Sequence, residues 1–154
     1  MLKVEFDIKD VKKLCDKLKK QLKTVKGARA GYIKDKAYPN GFSLIKNALV
    51  QEYGNDKIPS RPFLRRSLKD AKKWTQYINE MFEPENELSL EQIAGQIGLM
   101  MKKSIQDSID SDIPPPNSPE TIKRKKSSHT LIDTGTLRNS VQSEVIRNNE
   151  DARA

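Results

Sequence analysis

The sequence predicts an α+β fold in which a small antiparallel sheet of about three strands packs against several helices. Residues 3–8 alternate apolar and charged side chains, as a half-buried strand does. Residues 90–109 place apolar side chains at intervals of three and four, which predicts one long amphipathic helix near residues 89–110. A closing strand around Val141 and Val145 can pair with the earlier strands.

The first strand is followed by a helix that either Asp7 or Asp10 can cap. An apolar stripe at helical spacing runs along this helix, and it places Cys15 on the buried face; its members are Val11, Leu14, Cys15, Leu18 and Leu22. Gly27 is expected to end the helix, and residues 28–33 are expected to form the second strand.

A turn at residues 38–41 leads into the next helix, because proline fixes one dihedral angle and Asn-Gly supplies positive φ. Ser43 is expected to cap this helix, and Gly54 is expected to close it. The two prolines of residues 58–65 (IPSRPFLR) predict a stiff, extended segment without helix.

Residues 67–82 predict a helix with Trp74 as a buried anchor, and Ser89 opens the long helix. After the extended prolines 114–116, Ser118 and a following proline begin a short basic helix. Asp133 is expected to cap a helix over residues 134–139. We expect one domain over residues 1–147 and a frayed tail over residues 148–154.

Composition predicts a thin core and a large solvated or partner-covered surface. The 154 residues are only 35% hydrophobic but 32% charged, with a net charge of +8. No apolar run has the length of a membrane helix, and the N-terminal residues resemble no secretion signal. We therefore expect no membrane partner. The single cysteine excludes internal disulfides, which fits synthesis in a reducing cytoplasm.

Catalytic chemistry is not evident in the sequence. His129 is the only histidine and falls in a polar loop, where a surface position is expected. Asp133-Thr134-Gly135 matches the triplet of retroviral-type aspartic proteases, but their flanking apolar pattern is missing. Glycine-rich phosphate loops and histidine or cysteine metal clusters are also missing. We therefore expect no enzyme, no metal and no cofactor.

Several blocks resemble the minor tail, tail-completion or neck proteins of tailed bacteriophages. Residues 48–54 and 58–65 match that family's Glu-(Tyr/Phe)-Gly helix end followed by Ile-Pro-x-Arg-Pro-Phe. Residues 115–125 and 131–141 match its Pro-Asn-Ser-x-x-Thr-Ile-x-x-Lys and Leu-x-Asp-Thr-Gly-x-Leu-x-x-Ser blocks. The resemblance spans about residues 28–145 and includes residues 31–33 and 38–41. One departure is Lys125-Lys126, where the family often has Lys-Gly.

The resemblance implies a structural protein of the virion, made in the bacterial cytoplasm, that joins or completes the tail. Its partners would be other tail or head-tail connector proteins and further copies of itself, as a ring around the DNA channel. Its positive charge would allow non-specific contact with phage DNA. A small basic DNA-binding protein of a mobile element is the alternative function, and a toxin or nuclease partner ranks last.

The proline segment is the predicted contact site for a subunit or partner, through Arg61, Phe63, Arg65 and Arg66. A cation and an aromatic ring on stiff backbone suit docking. A rigid internal connection that packs Phe63 inward is the structural alternative.

Overall fold

A computed structural model describes residues 8–83 and 86–148. Its seven α-helices are α1 (Ile8–Thr24), α2 (Leu44–Tyr53), α3 (Phe63–Ser67), α4 (Ala71–Met81), α5 (Leu90–Asp110), α6 (Pro119–Lys125) and α7 (Thr136–Asn139). Its two strands are β1 (Val25–Gly31) and β2 (Gln142–Arg147), and one 3₁₀ turn, Leu68–Asp70, joins α3 to α4. The α+β class and the long fifth helix are confirmed.

The sheet has two strands in the described ranges, not about three. β1 pairs with β2 antiparallel, with Ala28 opposite Val145, which confirms the closing strand. The predicted strand at residues 3–8 lies outside the described residues except for Ile8, which begins α1. Helix α5 crosses directly beneath the sheet at Gly98, where a Cβ atom would lie 3.4 Å from the Ser143 Cβ.

The sequence signals for helix starts are largely confirmed. The Ser43 hydroxyl accepts a hydrogen bond from the Lys46 amide, and Ser89 forms a capping box with Gln92. Ser118 caps α6 in the same way. The predicted Asp133 cap is wrong, because α7 begins at Thr136, two residues later than predicted, and Gly135 occupies its cap position in a left-handed conformation.

Two predictions for the N-terminal helix are wrong. Helix α1 ends at Thr24, before Gly27, which lies inside β1. The carbonyl of Thr24 accepts a hydrogen bond from the amide of Asn148, the residue after β2. Because the chain already pairs with β2 here, β1 begins at Val25, before Gly27. Cys15 is exposed rather than buried.

The hydrophobic core lies between α2, α3, the second half of α5 and α7. Its buried members are Leu44, Ala48, Phe63, Ile105, Ile109, Ile113, Leu137 and Val141.

None of the described helices combines the length and the apolar character needed to cross a bilayer.

Gly54 gives the first test of the fold. Its backbone adopts φ 77° and ψ 175°, a region open essentially to glycine alone. A Cβ there would lie 2.7 Å from the Ser60 amide nitrogen. Gly54→Ala should lower the free energy of unfolding in urea by about 3 kcal/mol. Gly41→Ala, also at positive φ but with open space around it, should cost about 1 kcal/mol. Equal losses would contradict the tight approach at Gly54.

Candidate interaction surfaces

The proline segment turns into a helix sooner than its composition predicts. Pro62 occupies the cap position of α3, and residues 63–65 are helical. The prediction that two prolines exclude helix up to residue 65 is therefore wrong. Proline is tolerated at the start of a helix, because its missing N–H would have no intrahelical partner there.

Phe63 is an interior residue. Its side chain is fully buried in the core cluster, and its ring meets the Tyr32 ring edge-on at 6.3 Å between centroids. The Tyr32 hydroxyl in turn donates to the Leu137 carbonyl at 3.0 Å. Phe63 thus joins α3 to Tyr32, the residue after β1, and through it to α7. This agrees with the structural alternative for the segment rather than with docking.

Arg61 is also buried, and its hydrogen-bond partners are neutral oxygens. Its guanidinium donates to the carbonyls of Pro115 at 2.9 Å and Pro116 at 3.2 Å, with longer bonds of 3.5 Å to the side chains of Gln51 and Asn117. Burial lowers the pKa of Arg61. The residue fastens the proline segment to the 115–117 loop.

Glu52 is the residue that sequence reasoning missed. Its side chain is 2% exposed. The carboxylate accepts hydrogen bonds from the Leu64 amide at 2.8 Å, the Arg65 amide at 3.1 Å and the Arg65 Nε at 2.9 Å. It therefore caps α3 from a different helix, at the end where a negative charge is favoured. The available signal was its spacing, four residues after Ala48 and eight after Leu44 on the buried face of α2.

The four predicted contact residues do not form one surface. Arg61 and Phe63 are interior in this fold, so their side chains are not available to a partner without local unfolding. Arg65 and Arg66 are exposed. The Arg65 guanidinium lies 5.2 Å from the ring centroid of Tyr53, which is itself exposed. Partner contact through Arg65 and Arg66 stays a prediction.

A cleft of about 600 Å³ lies where the proline segment, the 115–125 block and the 131–137 loop meet. Its walls carry four cations and one acid: Lys57, Arg61, Arg124, Lys125 and Asp133. Burial lowers the pKa of Lys125, and the nearby positive charges of Arg61 and Arg124 lower it further. The Lys125 ammonium donates to the carbonyls of His129 at 2.8 Å and Thr130 at 3.2 Å, so this cation also orders the loop after α6.

A second, more open groove of about 820 Å³ lies between α4 and α5, and we call it the α4–α5 groove. Trp74, predicted to be a buried anchor, is half-buried in its wall. Tyr77 and Leu99 line it with 56% and 60% of their surfaces exposed. Arg66 lies on its rim with Lys69 and Lys103. The groove therefore presents exposed apolar side chains between cations, a surface that a protein partner could cover.

The structure places His129, the one histidine of the sequence, within the described ranges 8–83 and 86–148. His129 is half-buried, and its Nε2 lies 3.2 Å from the Asp110 carbonyl oxygen. Within these ranges no group of three histidine, cysteine, aspartate or glutamate residues is placed to hold a metal ion.

Comparisons with protein-family models, with curated proteins and with solved structures give no match to this chain.

Glu52 also gives a test that separates capping from ion pairing. Glu52→Ala removes the acceptor of two α3 amides and should lower the free energy of unfolding by about 2–3 kcal/mol. Arg65→Ala keeps both amide bonds and removes the ion pair with Glu52, the hydrogen bond to the Glu52 carbonyl and the contact with the Tyr53 ring. Because the Arg65 side chain is 58% exposed, this variant should cost only about 1 kcal/mol. Chemical denaturation of both variants measures the difference. A larger loss for Arg65→Ala would show that the ion pair, not the cap, stabilises this region.

Proposed function

We propose that the chain is a phage or prophage virion morphogenesis protein that joins or completes the tail. It acts by protein–protein contacts with other tail or head-tail connector proteins and as a homo-oligomer, forming a ring around the DNA channel. It is a component of the virion, made in the bacterial host cytoplasm. The role is structural, with no catalytic step and no cofactor.

The observation that carries the contact role is the set of large apolar side chains that lie exposed in the described part of the chain. They are Leu22, Phe42, Leu49, Tyr53, Leu68, Tyr77, Phe82 and Leu99. A protein that works inside an assembly can leave such surface for its neighbours to cover.

The phage assignment is supported by the resemblance of the sequence blocks. The fold adds one consistent fact, because three of these blocks line the same cleft. They are residues 58–65, 115–125 and 131–141. Arg61 ties the first block to the second, and Tyr32 ties the core to the third. Sequence blocks that follow one another as they do in the family therefore also lie together in the fold.

The virion role predicts that the chain is a component of purified particles and is needed to make them. Deleting its gene from the element that encodes it should reduce infectious particles by several orders of magnitude, and electron microscopy should show unjoined heads and tails or unfinished tails. A plasmid copy should restore the yield, and mass spectrometry should detect the chain in restored particles. A normal yield after deletion, or particles lacking the chain, would contradict the proposal.

The alternative is a small basic DNA-binding protein, and the exposed lysines of α1 favour it. Lys12, Lys13, Lys17, Lys19, Lys20 and Lys23 all lie exposed on this one helix. A helix-turn-helix is not formed around Gly54, because α3 begins nine residues after it.

Binding to random duplex DNA, titrated with salt, separates the two functions. Weak attraction that falls steeply with salt and ignores sequence fits the virion role. Sequence-specific binding with a nanomolar Kd at physiological salt would favour the alternative and contradict the virion role.

A further inference from the structure

We propose that the α4–α5 groove receives the acidic end of α4, formed by Glu80, Phe82 and Glu83, from a second copy of this chain. The inference rests on the proposed role in protein–protein contact, and it names the partner of this surface. It commits to self-association, with the groove and the acidic end of α4 as the two halves of one contact.

Charge separates along the helical hairpin of α4 and α5. Between Trp74 and Met101 the sequence contains five glutamates and no lysine or arginine, and one of the five, Glu91, is paired with Arg147. The groove at the other end of the hairpin is rimmed by Arg66, Lys69 and Lys103, with Asp107 paired to Lys103. One end of the hairpin is therefore acidic and the other basic, so two copies have complementary surfaces.

The apolar parts match as well. Phe82 is 56% exposed and follows α4 directly, with exposed glutamates on both sides. In the groove, the exposed Tyr77 and Leu99 form an apolar surface between cations. The Phe82 ring can cover this apolar surface while the carboxylates beside it contact the cations of the groove.

A chain cannot make this contact with itself. Helix α4 is continuous from Ala71 to Met81, and it supplies both Trp74 and Tyr77 to the groove wall. Phe82 directly follows this helix, more than one helical turn beyond Tyr77, so it cannot fold back beside them. A second copy is required. Reciprocal docking of two copies gives a two-fold pair, whereas successive docking gives a ring.

Charge-reversal variants of the full chain test the contact. The rim variant carries Arg66→Glu and Lys69→Glu, and the end variant carries Glu80→Lys and Glu83→Lys. Native mass spectrometry and sedimentation velocity at about 100 µM, above the Kd of micromolar contacts, measure the oligomer. Each variant alone should raise the Kd of self-association at least tenfold. An equimolar mixture of the two should recover association, because each variant then offers what the other lacks.

Matched controls separate the contact from general effects. A control variant carries Lys36→Glu and Lys123→Glu at exposed positions outside the groove. It makes the same change of net charge as the rim variant and should leave association unchanged. Phe82→Asp should abolish association, whereas Phe42→Asp, at another exposed phenylalanine, should not. Circular dichroism establishes that each variant is folded.

The inference fails if the native chain stays monomeric at about 100 µM, if both reversal variants associate as it does, or if their mixture stays monomeric. Its failure is distinguishable from failure of the proposed function. A monomeric chain that is still required for particles would remove this contact and leave the virion role in place.

Discussion

The buried carboxylate of Glu52 is the interaction on which this fold depends most. It lies on the inner face of α2 and accepts hydrogen bonds from two amides at the start of α3. This fixes where α3 begins, and α3 places Phe63 in the centre of the core. Removing a carboxylate from water is costly unless its hydrogen bonds are replaced, and here the helix end and Arg65 replace them.

Arg61 extends the same arrangement to the C-terminal half of the chain. Its guanidinium reaches carbonyls in the 115–117 loop, more than fifty residues away in sequence. The two prolines limit the conformations of this segment, so little further entropy is lost when these bonds form. The proline segment, residues 58–65, is thus an internal brace, a segment that connects the two halves of the chain through buried contacts. Exposed apolar and charged surface lies elsewhere, including parts of α4 and α5 and the arginines that follow Phe63.

The sequence correctly predicted those helices whose position depends on residues close together in the chain. Ser43 and Ser89 cap their helices, and the long α5 follows from its apolar spacing. The errors arise where tertiary contacts decide. Cys15 continues an apolar stripe, yet the fold leaves it exposed. Glu52 is charged, yet it is buried because α3 supplies its partners. The α4–α5 groove requires two helices to lie side by side, and single-element periodicity carries no such information.

Native-state hydrogen exchange at residues 61–67 tests the central claim most directly. The Arg61 amide donates to the Gln51 carbonyl at 2.7 Å, and the Leu64 and Arg65 amides donate to Glu52. If the segment is an internal brace, these amides should exchange only through openings whose free energy approaches that of global unfolding. Exchange at rates near those of an unstructured peptide, while α5 stays protected, would show that the segment is loose surface and that the account is wrong.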